Sequence, residues 1–267
     1  MGKYDTLFSL NMKVQDIGGK ILSLKRIPYV IKEKKTLSKN KELVTNRKSD
    51  TVYILGLGPS LKEIDLTKLE GDTIAINRYY RYDSRKEFEP TYYLLMDNDF
   101  FCEKEIGCLI NAKKQYPKSI FVLNGRYHSV AEKAIGSDFV YYLFSWKGLF
   151  SGSRIDLCKV LPAFGNSVCC AIGLAIGVGY KKIILLGCDF NSFATQKVEH
   201  CYSESKDVPK LRPLSVELFD YSFVAEMHNR LASFASLNGV YIFNGTPNSL
   251  IDSYPFLPKG EQSEIGK

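Results

Sequence analysis

Apolar residues occur along this chain in two patterns. One is short continuous runs, all but one of which end at glycine, asparagine or aspartate. The other is longer stretches in which apolar residues return every three or four positions. Residues 52–55, 73–76, 91–96, 119–123, 139–143, 182–186 and 240–243 show the first pattern. Being apolar at consecutive positions, they predict strands buried on both faces. Residues 101–115, 128–135 and 216–237 show the second and predict helices, and the longer apolar stretch 166–178 reads as a buried helix packed on the sheet. On the last of these, Phe219, Phe223, Met227, Leu231 and Phe234 mark the expected buried face. A helix is also expected to open at Pro59–Ser60, between the first two strands. Strands alternating with helices predict an α/β fold with a doubly wound, mostly parallel sheet. Residues 145–165 and 191–213 lack clear periodicity and read as lid or insertion loops.

Charge divides the chain. Residues 1–50 hold twelve Lys/Arg and five Asp/Glu, a net +7 that equals the charge of the whole chain. The remaining 217 residues are neutral overall, which removes the electrostatic case for nucleic-acid binding by the body of the protein. Within the basic segment Leu10, Val14, Ile17, Ile21 and Leu24 form a helical stripe, with Lys13 and Lys20 beside it and Pro28 ending it. Two readings stand. Residues 1–31 lie on an anionic membrane surface, or the helix docks on the domain and a solvated Lys-rich linker follows over residues 32–48. The expected organisation is a basic segment and linker (1–50), a nucleotide-binding catalytic domain (51–257) and a polar tail (258–267).

No stretch reads as a signal peptide. The longest apolar run, residues 167–180, is broken by three glycines and is too short to span a bilayer. Seven cysteines, an odd number with no CxxC, predict reduced and mostly buried thiols. The expected location is therefore cytoplasmic, peripheral at the inner face of the membrane if the basic helix binds there.

The candidate chemistry lies where the predicted strands end, because open α/β sheets bind ligands beyond their carboxyl edge. Those ends read Gly56-Leu57-Gly58-Pro59-Ser60, Asn77, Asp97-Asn98, Gly187-Cys188-Asp189 and Asn244-Gly245-Thr246. The first is a glycine turn before an expected helix N-terminus, a phosphate-binding arrangement. It is not a dinucleotide fingerprint, since Leu61 stands where the third glycine would fall and Asn77 where the acidic residue would. It is not a Walker loop either, because no GK[ST] follows. Asp189 is placed for a ribose, a metal or acid–base work, or for capping the next turn. His200, on the polar loop after Asp189, is a candidate general base, and Tyr202 a candidate stabiliser of a leaving phosphate. His228 falls beside an apolar helix stripe and reads as structural; His128 reads as a cap or surface residue. No Cys/His spacing suits zinc.

The segment GLGPSLKEIDLTKL with Asn77 after it resembles the opening of the bacterial lipooligosaccharide sialyltransferases. Residues 165–190 (GNSVCCAIGLAIGVGYKKIILLGCDF) and 241–255 (YIFNGTPNSLIDSYP) are similar to later blocks, in the same order. A looser resemblance reaches a broader Rossmann-like family that includes archaeal hydroxymethylpterin diphosphokinases and flagellin-glycosylation proteins. The blocks cover about a quarter to a third of the chain. The resemblance implies a Rossmann-like sheet and a metal-independent glycosyltransferase, with a CMP-sugar donor and a cell-surface or lipid-linked glycan acceptor. It implies donor contacts at Gly56, Gly58, Pro59, Ser60 and Asn77, at Asp97 and Asn98, at Gly165, Asn166 and Ser167, and at Asn244, Thr246, Asn248 and Ser249. Two departures stand out. Leu57 replaces an Asn of the family's first loop, and the segment LSVELFDYS (214–222) lacks the family's His. The alternatives are a Mg-dependent diphosphokinase acting on a pterin, with Asp97, Asp99 and Asp189 as the ligands, or a non-catalytic glycan-assembly protein.

Overall fold

The structure is a computed structural model that describes residues 3–23, 27–82, 88–150, 154–195, 199–203, 212–258 and 260–261. Four helices lead in: α1 (Lys3–Ser23), α2 (Ile27–Lys32), α3 (Lys34–Lys39) and α4 (Lys41–Thr45). Then come β1 (Thr51–Leu55), β2 (Asp72–Ile76), β3 (Tyr92–Leu95), α5 (Ile106–Gln115), β4 (Ile120–Asn124), α6 (His128–Ile135) and β5 (Val140–Leu143). The short strands β6 (Ser145–Leu149) and β7 (Leu161–Ala163) follow. The chain closes with α7 (Ser167–Val178), β8 (Lys182–Leu186), α8 (Leu214–Leu237) and β9 (Tyr241–Asn244).

Seven of these strands form one parallel sheet in the order β5-β4-β3-β2-β1-β8-β9. The chain winds outward from β1 to β5, then returns to place β8 on the other side of β1, in register from Thr51 opposite Lys182 to Leu55 opposite Leu186. The reversal makes the β1/β8 boundary the topological switch point, the default ligand crevice of such sheets.

Side-chain alternation explains why the strands are apolar throughout. Val52 and Ile54 face one core with Ile74, Tyr92 and Leu94. Tyr53 and Leu55 face a second core with Ala75, Tyr93 and Leu95. The helices α7 and α8 contribute to the first core, and α5 and α6 to the second. The apolar run expected over residues 167–180 is α7, with Ile172 and Leu174 fully buried. Among the described residues no helix is long and apolar enough to cross a membrane.

Four expectations change. The connection from β1 to β2 contains no α-helix. Pro59–Glu63 and Leu66–Lys68 are short 3-10 turns, because buried Leu61, Ile64 and Leu66 fall at spacings of three and two, closer to a three-residue turn than to 3.6. Residues 145–165 carry a small parallel ladder of β6 with β7, while residues 151–153 lie outside the described set. On α8 Met227, Leu231 and Phe234 are buried as expected, but Phe219 is 54% exposed. The first half of that helix overhangs the carboxyl edge of the sheet.

The last change concerns the basic segment. Residues 32–48 are not a solvated linker, because α3 and α4 pack on the sheet. Leu37 and Leu43 are 1% and 0% exposed. Buried Asn40 donates from Nδ2 to the carbonyls of Tyr142 (2.8 Å) and Leu157 (2.7 Å). The Tyr92 hydroxyl donates to the Leu43 carbonyl at 3.2 Å. Of the expected stripe, Leu24 lies outside the described residues. Of the polar tail, Lys182 pairs with Glu261 at 2.9 Å, and residues 259 and 262–267 lie outside the described set.

Leu43→Ala is therefore expected to cost about 2–5 kcal/mol in urea unfolding. Leu10→Ala, at a position 57% exposed, should stay within about 0.5 kcal/mol of the wild type. Equal costs at the two positions would contradict this packing.

Candidate active site

Two loops meet at the switch point. After β1 the Gly56 amide donates to the Leu186 carbonyl (2.7 Å) and the Gly58 amide to the Gly187 carbonyl (2.8 Å). The two loops therefore continue the sheet's ladder past its end. No Cβ fits at either glycine. One on Gly56 would overlap the Gly187 carbonyl, and one on Gly58 would overlap the Asp189 carboxylate. The glycines are required by loop–loop packing, and their amides are already engaged. The expected phosphate loop thus has no free glycine amide and no α-helix behind it, while Gly56, Gly58 and Pro59 do line the crevice. The same loop holds Asp189, whose Oδ2 accepts from the Ser60 hydroxyl at 2.8 Å.

The helix N-terminus that does face the crevice belongs to α7. Asn166 caps it by accepting from the Cys169 amide at 2.8 Å. The first-turn amides of Ser167 and Val168 have no intrahelical acceptor and sit at the positive end of a twelve-residue helix. Asn77, just past the end of β2 in the left-handed region (φ 51°), accepts from the Ser167 hydroxyl at 3.0 Å. The expected residues Asn77, Asn166 and Ser167 are thus joined.

The crevice is a cavity of about 180 Å³ with Gly58, Pro59, Asn166, Asp189, Glu199 and His200 in its walls. Gly165, Asn166 and Ser167 also border a neighbouring hollow of about 330 Å³, which holds Asp97, Asn98 and Ser145. A third hollow of about 470 Å³ lies between Asn166, Phe190 and the overhanging start of α8 (Tyr221, Phe223 and Val224). Asn166 borders all three.

His200 is held from two sides. Its ring stacks on Tyr202 (4.9 Å between centroids, 24° between planes), and the amide of the intervening Cys201 donates to the Leu57 carbonyl at 2.8 Å. Tyr202 is only 6% exposed and stands behind the imidazole, not in the cavity wall. The guanidinium of Arg81 lies 5.8 Å from its ring centre.

Of the residues expected to touch the base or phosphate from the last strand, Asn244, Thr246 and Ser249 are hydrogen-bonded to the protein's own backbone. Asn244 and Thr246 are fully buried and Ser249 is 8% exposed. The Asn244 side chain bridges the Thr246 amide (3.0 Å) and the Ile251 carbonyl (3.0 Å). Thr246 accepts from the Cys188 amide at 3.0 Å, and the Ser249 hydroxyl donates to the Cys188 carbonyl at 2.7 Å. Asn248 is the exposed tip of the turn, at φ 56°. Asn244, Thr246 and Ser249 together brace the loop that carries Asp189. Asp97 caps its own turn by accepting from the Asp99 amide at 3.3 Å. Asn98 accepts from Asn124 at 3.1 Å.

His228 is structural. It is fully buried under α7, with Nδ1 3.0 Å from the Tyr254 hydroxyl and Nε2 3.5 Å from Cys169 Sγ. Burial lowers its pKa to about 4. Desolvation also pushes the Cys170, Cys188 and Cys201 thiols up to about 12, so they are protonated and unreactive near neutrality. His128 lies with Nδ1 3.1 Å from the Gly125 carbonyl, at the start of α6.

Sequence reasoning missed Phe190 and Tyr221. Phe190 adopts φ 56° and lies 4.6 Å from Tyr221 and 5.8 Å from His228, ring to ring. Its position next to Asp189 is the available signal. Tyr221 gives none, since it lies off the apolar stripe of α8.

No protein-family profile matches the chain. It is similar to two curated proteins named cell division protein DivIB, both from Clostridium botulinum. One, from strain Hall, is 29% identical over 108 residues, covering 40% of this chain and 39% of that protein. The other, from strain Loch Maree, is 28% identical over 160 residues, covering 54% and 59%. The chain thus spans less than two thirds of the length of these relatives. Among solved structures, the sialyltransferase CstII from Campylobacter jejuni, in complex with the substrate analogue cytidine-5'-monophosphate, aligns over 81% of this chain and 86% of its own, with TM-score 0.48 and 16% identity. The monofunctional α-2,3-sialyltransferase Cst-I from the same organism aligns over 82% of each chain, with TM-score 0.43 and 14% identity.

Two outcomes follow from the site's construction. Gly58→Ala should lower the melting temperature by more than Ser60→Ala, because the first displaces the Asp189 carboxylate and crowds the Gly187 carbonyl while the second removes one hydrogen bond worth about 1 kcal/mol. For His228 the folded pKa lies below the unfolded value of about 6.5. Its contribution is complete above pH 6.5 and lost as pH falls through 4. Between pH 7 and pH 4.5 the wild type should lose about 2–3 kcal/mol more than His228→Gln in urea unfolding. Equal losses would place an unperturbed histidine there.

Proposed function

We propose that this chain is a glycosyltransferase that moves a sugar from a nucleotide-activated donor, a CMP-sugar of the sialic acid type, to a hydroxyl of a glycan or lipid-linked glycan. The observation that carries the reading is the meeting of the α7 N-terminus, Asp189 and His200 in one crevice at the switch point. The order of the three motif blocks supports the choice of donor.

In this reading the donor phosphate lies against the α7 amides and the Ser167 hydroxyl, with Asn77 fixing Ser167. Asp189, oriented by Ser60, faces the sugar or ribose. An imidazole nitrogen of His200 takes the acceptor hydroxyl's proton. The acceptor oxygen bonds to the anomeric carbon, and the bond from that carbon to the phosphate oxygen breaks, its electron pair leaving with CMP. Tyr202 acts here as a support for the imidazole. The helix end offsets the leaving charge, so the reaction is proposed to need no metal.

The magnesium-dependent alternative has less to stand on. Asp97 and Asp99 are exposed on the neighbouring turn, and Asp189, across the crevice, is tied to Ser60. A non-catalytic role has as its support the name of the two curated relatives, cell division protein.

A thermal-shift series separates the three. CMP at a hundred times its dissociation constant should add about 2.7 kcal/mol of stability, in the presence of a chelator as well as of magnesium. Stabilisation by ATP only with magnesium would favour the diphosphokinase, and no response to any nucleotide the non-catalytic role. In turnover assays Asp189→Asn and His200→Ala should each lose about a hundredfold in kcat with an unchanged circular-dichroism spectrum. Full activity in His200→Ala would remove it as the base.

A further inference from the structure

The N-terminal helix presents two faces of opposite character. Its inner face is docked: Met12 is 5% exposed, and Asp16 pairs with Arg230 of α8 at 2.9 Å. Its outer face carries Leu7, Leu10, Val14, Ile17 and Ile21 at alternating spacings of three and four. Their exposures are 52%, 57%, 60%, 59% and 63%. The stripe spans about 21 Å of helix. Soluble surfaces rarely leave such a line of large aliphatic side chains without a partner.

We infer that this outer face lies in the plane of an anionic lipid surface, holding the protein there while the inner face keeps α1 joined to the domain. Charge selects this occupant. Lys13 and Lys20 are exposed along one flank of the stripe, on the segment that carries the chain's whole net charge of +7. Aliphatic side chains with lysines at their edge suit acyl chains under anionic headgroups. A second copy of the helix fits less well. Paired helices use opposite charges at the flanking positions, and here the flanks offer Asn11 and Gly18 on one side and Lys13 and Lys20 on the other. An antiparallel pair would set lysine against lysine. The placement also suits the cleft. The helix α1 contacts β6, and Ser145, the first residue of β6, borders the hollow beside Asn166. None of this depends on the transfer reaction proposed above.

Flotation of the full-length protein tests it, with vesicles of phosphatidylcholine alone and of phosphatidylcholine mixed with phosphatidylglycerol. The protein should float with the anionic vesicles only and be released as salt rises. Val14→Glu combined with Ile17→Glu should lower partitioning at least about tenfold with an unchanged melting temperature. Lys13→Gln combined with Lys20→Gln should lower it about fivefold per lysine removed. The proposal is overturned if the wild type does not float at low salt, or if the Glu variant floats equally well. A dimer by light scattering that the Glu variant converts to monomer would identify a second copy as the occupant and overturn it too. Unfolding of the Glu variant would do the same, by placing the stripe in the core.

Discussion

The close approach of the β1 and β8 loops is the constraint on which the site depends. A Cβ on Gly56 would overlap the Gly187 carbonyl, and one on Gly58 would overlap the Asp189 carboxylate and crowd the same carbonyl. Two amide–carbonyl bonds extend the strand pairing past Leu55 and Leu186. The distance between the loops therefore follows from main-chain geometry alone. The Asp189 carboxylate is set by that distance and by the Ser60 hydroxyl. Behind it Thr246 and Ser249 bind the backbone of Cys188 from the opposite side. The fold itself thus orients this carboxylate, which is what the proposed transfer would require of it.

The sequence and the structure agree where burial alone dictates the pattern. Strands covered on both faces must be apolar at consecutive positions, and all seven strands of the large sheet appear as such runs. The helix α7 is equally clear, with its N-terminus at Asn166 and Gly179 beyond its end. The disagreements arise where a polar residue serves the interior or an apolar one does not. Asn40 looks like part of a solvated charged stretch, yet its amide satisfies two carbonyls in the core. Asn244, Thr246 and Ser249 sit at the carboxyl edge like ligand contacts, but their hydrogen-bonding capacity is spent on neighbouring backbone. Phe219 continues the stripe of α8 beyond the point where the sheet ends. One-dimensional periodicity cannot see where a partner surface stops.

The same limit applies to the first loop. GxGPS suggests a ligand because glycine permits close approach, and close approach does occur. The approaching group is another loop of the same protein. Asp189 is a candidate from its position after β8 alone, and the structure adds what holds it. Among the missed residues, Phe190 adopts left-handed backbone although it is not glycine. Its ring joins the crevice wall to the buried His228 cluster, a link between surface and core that only the fold reveals.

The strand order has a consequence for the chain as it is synthesised. In the finished sheet β1 is interior, flanked by β2 and β8. Those two neighbours arrive at very different times. Val52 of β1 meets Asp72 of β2 about twenty residues later, whereas Thr51 waits about 130 residues for Lys182 of β8. Until β8 has been made, β1 is an edge strand with unpaired backbone groups and apolar side chains on both faces, the kind of edge that recruits strands from other molecules. Asn40 waits too, since the carbonyls it satisfies belong to Tyr142 and Leu157. The nascent chain therefore carries an open, apolar sheet edge from early in its synthesis, and shields it only when the second half of the sheet is in place.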